Sequence, residues 1–223
     1  LWFRNSNDRL VPMVQAGSHG ENLGKIILNF PEGSRPSLKS YETIKVKGEL
    51  YHKETANLVI QVRDKINKLY GKNWLTYKLG TSKIDLINSE NTKTRWNQII
   101  ATSFKNAIDC DFAVHLPSFT GVDLPAGDIT REMIIQSYPR YFNIHRKEGW
   151  HLYKIKIFGL FIKPFVHGLI KFGAGAAFSG LEVNYDKNRN KLGDIYINNK
   201  KLKLFKSYSV VLPEGLVKGS FET

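Results

Sequence analysis

A change in hydrophobic period along the chain limits the fold more than any other feature of the sequence. Short apolar runs at residues 11–14 and 25–30 predict β-strands near the start. Ile44 and Val46 alternate with lysines and predict a third strand. One helical stripe follows, formed by Val59, Val62, Ile66 and Leu69. It stops at Gly71, so the pattern predicts an amphipathic helix that connects two β-containing parts of the chain.

Downstream of this helix, predicted helices and strands alternate. Apolar residues at helical spacing from Trp96 to Ala107 lead into an apolar strand at 111–116. The side chain of Thr130 can cap a short helix. That helix must end before Pro139, because a proline disfavours the helical conformation in the residue before it.

The C-terminal third predicts several strands around one more helix. Residues 161–171 have helical spacing, with Pro164 in the first turn, where a missing N–H costs little. Asn198 and Asn199 separate two apolar runs and predict a hairpin. The predicted strands span residues 153–157, 181–185, 194–197, 202–205 and 208–212. Because helices and strands alternate without a repeat period, the fold class is α/β (α+β).

The chain is strongly basic, with 33 Lys and Arg against 20 Asp and Glu, a net charge of +13 and an isoelectric point near 9.7. Most of the excess lies between Arg140 and Lys206, where 14 basic and 4 acidic residues give 14 − 4 = +10. Attraction to phosphate, nucleic acid or an anionic membrane is one interpretation, and a solvated surface is the other. Since no aromatic residues interleave with a basic cluster, the sequence does not predict a nucleic-acid platform.

Cysteine usage and hydropathy exclude further classes of protein. The one cysteine, Cys110, excludes an internal disulfide framework, and its apolar surroundings predict a buried, inert thiol. The most apolar stretch, residues 155–181, is interrupted by charges and is too short between them to cross a bilayer. Neither an initiator Met nor a signal-peptide pattern opens the sequence, so we expect Leu1 to be an internal residue of a longer gene product.

Two segments resemble one known family. Val14–Gly24 reads VQAGSHGENLG and is similar to the end of the catalytic domain of metallophosphoesterase-type 5′-nucleotidases, where VQAG-x-x-G-x-x-LG precedes a strand. Leu124–Thr130 reads LPAGDIT and matches a motif of the family's C-terminal domain at every residue. The resemblance runs in order over nearly the whole chain. It implies a mixed sheet with packed helices, like the 5′-nucleotidase C-terminal domain, preceded by a remnant β segment of the metallophosphoesterase sandwich and a connector helix.

The same resemblance divides the chain into three parts. Residues 1–50 would be a remnant of the catalytic domain, residues 51–75 the connector helix and residues 76–223 the C-terminal-like domain. Members of the family are usually exported, which implies a periplasmic or exported location. The resemblance also implies a connection with nucleotide catabolism.

In this family two metal ions activate a water and clamp the phosphate, and all of their ligands precede the VQAG segment. The resemblance therefore implies no catalytic residue, no metal ligand and no cofactor in this chain. Two divalent metal ions are expected only where an upstream catalytic domain is present. His19 lies in a variable position and has no Asp, Glu or His at ligand spacing, so we expect a surface or hydrogen-bonding histidine. No metal-ligand spacing is found either among His52, His115, His145, His151 and His167.

The family's C-terminal domain holds the nucleotide, with two aromatic rings around the base and an Asn and arginines on the sugar and phosphates. Counted back from Leu124 without gaps, the Asn falls on Leu116 and the Arg on Gly121. The Phe of the family's Pro-Phe pair falls on Arg140, unless Tyr141 or Phe142 takes its place. We therefore expect a degenerate pocket in which nucleotide binding is weak or absent. The aromatic and basic residues that remain near it are Phe119, Arg140, Tyr141, Phe142 and Phe178. They are either a site for another aromatic or anionic ligand or ordinary core packing with a surface Arg.

Two functions follow as hypotheses. In the first, the chain is a non-catalytic 5′-nucleotidase-like module, a pseudoenzyme that serves as a binding or structural component of a larger protein or assembly. In the second, it is the detached substrate-binding half of a working metal-dependent phosphoesterase. Both require a partner, which is another protein in the first hypothesis and the missing N-terminal catalytic domain in the second.

Overall fold

The computed structural model describes residues 2–17, 20–48, 52–89, 93–141, 149–171, 175–186 and 188–218. The chain forms two compact units, residues 1–65 and residues 66–223. The helices are α1 (Lys53–Tyr70), α2 (Arg95–Ala107), α3 (Arg131–Ser137), α4 (Gly159–Lys171) and α5 (Glu214–Val217). The strands are β1 (Trp2–Arg4), β2 (Leu10–Pro12), β3 (Asn22–Asn29), β4 (Ser37–Lys45), β5 (Lys78–Ser82), β6 (Phe112–His115), β7 (Gly127–Thr130), β8 (Leu152–Phe158), β9 (Ala177–Ser179), β10 (Leu181–Asp186), β11 (Lys191–Ile197), β12 (Lys200–Lys201) and β13 (Ser207–Pro213). Helices and strands are mixed along the chain, which confirms the predicted fold class.

The first unit consists of two β-hairpins and the start of α1. Strands β1 and β2 pair antiparallel, and β3 pairs with β4 from Asn22 opposite Lys45 to Asn29 opposite Ser37. The Tyr41 hydroxyl donates to the carbonyl of Gln15 at 2.7 Å. None of the described residues in this unit is buried, although β3 carries several large apolar side chains. Two-stranded hairpins without a covered face are marginally stable, so this unit has too little core to hold itself together.

Helix α1 begins in the first unit and ends in the second. It follows the predicted apolar stripe and stops at Gly71, which has a φ of 104° and donates its N–H to the carbonyl of Asn67 at 3.0 Å. A left-handed residue of this kind at the end of a helix favours glycine. No side chain of the helix is buried, and its apolar stripe is exposed except at the half-buried Ile66.

A four-stranded sheet in the order β8-β13-β6-β9 forms the centre of the second unit. Strand β13 pairs antiparallel with β8 and parallel with β6, while β6 pairs antiparallel with β9. Phe112 and Val114 of β6 and Val210 of β13 are fully buried in one apolar core. The continuous apolar run of β6 fits a strand that is covered on both faces.

Helices α2 and α3 form where the sequence predicts them, and both have threonine caps. The Thr94 hydroxyl accepts from the N–H of Asn97, and the Thr130 hydroxyl accepts from the N–H of Met133. These bonds satisfy helix N–H groups that have no partner within the helix. Trp96 of α2 packs in a second core cluster with Leu124 and other apolar residues. Cys110 is buried in the same cluster, and burial raises the pKa of its thiol, as expected of an unreactive cysteine.

Helix α4 and the hairpin after it differ from the prediction in two places. The helix begins at Gly159, two residues early, so Pro164 lies inside it rather than in its first turn. In the hairpin, β12 is only Lys200–Lys201, and residues 202–205 are not a strand. None of the helices in the described part of the chain has the length and apolar character that a membrane-spanning helix needs.

The start of α4 is held close to the loop before β13. The N–H of Gly159 donates to the carbonyl of Lys206 at 2.8 Å, and the N–H of Leu160 donates to the carbonyl of Leu204 at 2.9 Å. A Cβ on residue 159 would clash with the backbone carbonyl of Lys203. Glycine is therefore required here by a close backbone approach.

We expect Gly159→Ala to destabilise the protein by about 1–3 kcal/mol, because the clash is with backbone rather than with a flexible side chain. Gly168→Ala is the matched control in the same helix, since nothing lies within 4 Å of its added Cβ. It should stabilise the protein by about 0.5–1 kcal/mol. Urea unfolding of both variants measures these changes. Equal stability of the two variants would contradict the close approach.

Candidate ligand-binding site

Arg140 packs against two aromatic rings, which also contact each other, just after α3. It lies in a short 3₁₀ turn, Pro139–Tyr141. Its guanidinium carbon is 4.8 Å from the ring centroid of Trp150 and 5.9 Å from that of Phe119. Its Nη2 donates to the carbonyl of Ser118 at 3.4 Å. These contacts fix the position of the charge, since cation–π stacking and a carbonyl acceptor act on the same group.

Trp150 is part of the site that sequence reasoning missed. Its ring lies edge-on to Phe119, with 4.9 Å between centroids, and its backbone N–H donates to the carbonyl of Arg140 at 2.8 Å. A Cβ on Gly215 would clash with the indole, so the backbone at the start of α5 packs against this ring. The indole therefore fills the space between the turn at residues 117–119, Arg140 and Gly215. No periodicity or motif marks this tryptophan in the sequence.

The residues predicted to surround the pocket do not all meet. Phe119 and Arg140 are in contact, as described above. Phe178 of β9 belongs to the same apolar core as Phe119 but lines a separate depression of about 240 Å³. There its carbonyl accepts from Nε2 of Gln98 at 2.8 Å. Tyr141 ends the 3₁₀ turn, and Phe142 lies outside the described residues. A binding role for these five residues stays a prediction.

An apolar cleft of about 550 Å³ runs beside Arg140 and Trp150. Helix α2 provides much of the wall, through Trp96, Ile99, Ser103 and Ala107 among others. The cleft is also lined by Ile134 of α3, by Tyr138 just after that helix, by His151 and by Leu152. Leu79 lines it too and, like Ile99, is about half exposed. The size falls within the range of ligand pockets, roughly 300–1,000 Å³.

Most polar groups around the cleft are already engaged. The indole N–H of Trp96 donates to the hydroxyl of Ser137 at 2.7 Å, and the Ser103 hydroxyl donates to the carbonyl of Ile100 at 2.7 Å. Nδ1 of His151 lies 3.2 Å from the carboxylate of Glu214, which is almost fully buried. Nε of Arg140 is different, because this buried atom has no acceptor among the described residues.

A second polar group lies inside the core, between α2 and β6. His115 and Asn97 are fully buried. Nε2 of His115 lies 2.8 Å from the Thr120 hydroxyl, which donates to Oδ1 of Asn97 at 3.3 Å. Since that hydroxyl proton is used, Nε2 must carry the proton of the neutral imidazole. Burial lowers the pKa of His115 to about 3, so the ring stays neutral at physiological pH.

The histidines show no metal centre in the described part of the chain, where no three His, Cys, Asp or Glu side chains come together. His52 pairs with the Thr55 hydroxyl at 3.2 Å, and His167 pairs with Oδ1 of Asn190 at 3.2 Å. His19 and His145 lie outside the described residues. The donor set of the described residues therefore does not fit a two-metal phosphoesterase centre, which needs several ligands around each ion.

Residues 75–222 match the family "5′-nucleotidase, C-terminal domain", so the chain belongs to that family. This confirms the resemblance drawn from the LPAGDIT motif. Comparison with curated proteins finds no match.

Solved structures of larger proteins have the same fold. A 5′-nucleotidase precursor from Thermus thermophilus has a TM-score of 0.70 at 16% identity over 98% of this chain and 45% of that one. The sulfate thiohydrolase SoxB from the same genus scores 0.63 at 14% identity, over 90% of this chain and 38% of that one. A putative 5′-nucleotidase from Staphylococcus aureus scores 0.58 at 13% identity, over 89% and 42%. The chain thus spans less than half the length of each of these proteins.

The neutral His115 predicts a dependence of stability on pH. Its pKa is about 3 in the folded protein and about 6.5 in the unfolded chain, so between these values the unfolded state binds more protons and stability falls as the pH falls. From pH 7 to pH 5 the loss should be about 2 kcal/mol larger than in a His115→Phe variant, whose other groups titrate alike. Urea unfolding at several pH values measures both slopes. Parallel curves would show that His115 titrates normally.

Proposed function

We propose that this chain is a non-catalytic 5′-nucleotidase-like module that acts as a binding or structural component of a larger protein or assembly. The observation that carries the proposal is the position of Trp150. Its indole fills the space between the turn at 117–119 and Arg140, the two segments onto which the resemblance maps nucleotide-binding positions. A base sandwiched there would have to displace the chain's own ring.

Gly121 supports the same conclusion, because the resemblance places a phosphate-binding Arg at this position. Its N–H donates to the carbonyl of Ser137 at 2.7 Å, and a Cβ would clash with the backbone carbonyl of Gln136. No arginine side chain fits here unless the backbone of α3 moves. Leu116, which replaces the Asn, is buried in the apolar core. A lost charge-assisted contact costs about 1.5–3 kcal/mol, so losing several removes most of the affinity for a nucleotide.

The proposal that this chain itself holds no metal ions follows from the same family resemblance. The described residues provide no set of donors for a metal pair, so the proposal assigns no hydrolytic step to this chain. Two divalent ions would belong to an upstream catalytic domain. A periplasmic or exported location rests on the family resemblance alone and is part of the proposal.

We expect no binding of AMP or adenosine by this chain at concentrations up to about 1 mM, because the phosphate and sugar contacts are missing and Trp150 occupies the space for a base. Isothermal titration calorimetry of the full chain measures this, with and without Mn²⁺. An intact 5′-nucleotidase under the same conditions is the positive control. Sub-millimolar affinity for either ligand would refute the degenerate pocket.

A second candidate function is favoured by the first unit. Its described residues include no buried side chain, and Leu23, Ile26 and Phe30 of the β3 region are among the exposed apolar ones. Isolated hairpins with such side chains gain stability when another sheet covers them. We propose that an upstream catalytic domain provides that sheet, so that the longer product is a working metal-dependent phosphoesterase with this chain as its C-terminal half.

The two candidates differ in the behaviour of a product extended upstream. If the second candidate is correct, the extended product hydrolyses p-nitrophenyl phosphate. EDTA then abolishes this activity, and added Mn²⁺ restores it. If the first candidate is correct, the extended product does not hydrolyse this substrate. The second candidate also predicts slower amide exchange of β3 and β4 in the extended product than in this chain, because the upstream domain covers the exposed faces. Equal exchange in the two products would contradict a covering partner upstream.

A further inference from the structure

Arg140 borders the apolar cleft along α2 with an incomplete set of partners. We propose that this cleft binds an amphipathic organic anion, with the apolar body of the ligand against α2 and its acid group on the guanidinium of Arg140. The inference goes beyond the proposed function, since it assigns a small-molecule ligand to a cleft that does not coincide with the space filled by Trp150.

The dimensions and walls of the cleft suit such a ligand. Its volume of about 550 Å³ accommodates a molecule with a fused ring system or a medium-length alkyl chain. Trp96 and Phe104, which line the cleft, are buried, whereas Leu79 and Ile99 are about half exposed. A ligand that covers these two side chains removes apolar surface from water, which favours binding.

The charge of Arg140 is available to a ligand. Among the described residues no carboxylate forms an ion pair with it, and its guanidinium donates to the carbonyl of Ser118 at a long 3.4 Å. Its Nε is buried and lacks an acceptor within the same part of the chain. Arg140 itself lines the cleft, so an acid group there can form a charge-assisted pair with its guanidinium without displacing a carboxylate of the described residues. The rings of Phe119 and Trp150 hold the guanidinium in place, so little side-chain entropy is lost on binding.

The engaged polar groups select against a nucleotide and for an apolar body. The Trp96 N–H and the Ser103 hydroxyl already have acceptors within the protein, as described above. The polar edge of a purine would therefore lie against apolar walls without hydrogen bonds, which is unfavourable. A ligand with one acid group and no other polar atoms avoids this cost. The strongly positive net charge of the chain further favours an anion.

The probe is 2-naphthoate, titrated into the full chain by calorimetry, with 2-naphthamide as a neutral analogue of nearly the same shape. We expect naphthoate to bind with a dissociation constant below about 1 mM and the amide to bind about tenfold more weakly or worse, because only the acid forms a charge-assisted pair with Arg140. This comparison uses the unaltered protein and does not depend on the folding of a variant.

Three variants locate the site. Arg140→Gln should weaken naphthoate about tenfold and leave the amide nearly unchanged. Ala107→Trp places a large ring in the cleft from an exposed position on α2 and should abolish binding of both compounds. Arg189→Gln is the matched control, because that exposed arginine pairs with Asp186 away from the cleft and should not change the affinity.

Each other outcome overturns the inference. Absence of naphthoate binding refutes the site, and equal affinity for acid and amide refutes the role of Arg140. Binding that survives Ala107→Trp places the compound elsewhere, for example on the exposed strands of the first unit. The naphthoate experiment and the nucleotide titration test different proposals. Binding of AMP would refute the degenerate pocket but would not change what the comparison of naphthoate with naphthamide shows.

Discussion

The parallel pairing of β13 with β6 is the constraint on which the second unit depends. Asp111 and Ser209, 98 positions apart, fix its register, since the Asp111 carboxylate accepts from the Ser209 N–H at 2.7 Å and from its hydroxyl at 2.9 Å. The Asp111 N–H donates in turn to the Ser209 carbonyl at 3.0 Å. With β13 set between β6 and β8, its end delivers Gly215 to the indole of Trp150. The geometry of the candidate site thus follows from a pairing between strands that lie far apart in the sequence.

The sequence predicts those helices and strands whose determinants lie within a few residues of each other in the chain. Helices α2 and α3 combine apolar spacing with a threonine cap, and both signals act within a few residues. Helix α4 begins two residues before its predicted start because carbonyls of Leu204 and Lys206 bond its first N–H groups, and these partners lie more than forty positions away. Leu202 still bonds to β11, since its N–H donates to the carbonyl of Ile195 at 2.9 Å, and the hairpin does not continue beyond it because the next residues turn toward α4. Apolar runs alone do not distinguish a paired strand from a loop that caps a helix.

The candidate site was predictable only in part for a similar reason. The resemblance identified the segments around Phe119 and Arg140, since motif spacing carries over from one family member to another. It did not identify Trp150, because the role of that ring depends on Gly215 and on the turn at 117–119, none of which is adjacent to it in sequence. The loss of a polar residue can be recognised by comparing motifs in the sequence. The side chain that occupies its space can be identified only from the three-dimensional structure.

Loss of polar residues alone would leave an empty pocket, and this is not what surrounds Arg140. The backbone at Gly121 lies against the carbonyl of Gln136, and the backbone at Gly215 lies against Trp150, so neither position has room for a longer side chain. On our proposal, single substitutions would not restore nucleotide binding, because the backbone would have to move as well. The open space lies instead along α2, on the apolar side of the same arginine. A fixed cation that no carboxylate in the described part of the chain neutralises borders this cleft, and on our proposal an anion there completes its set of partners.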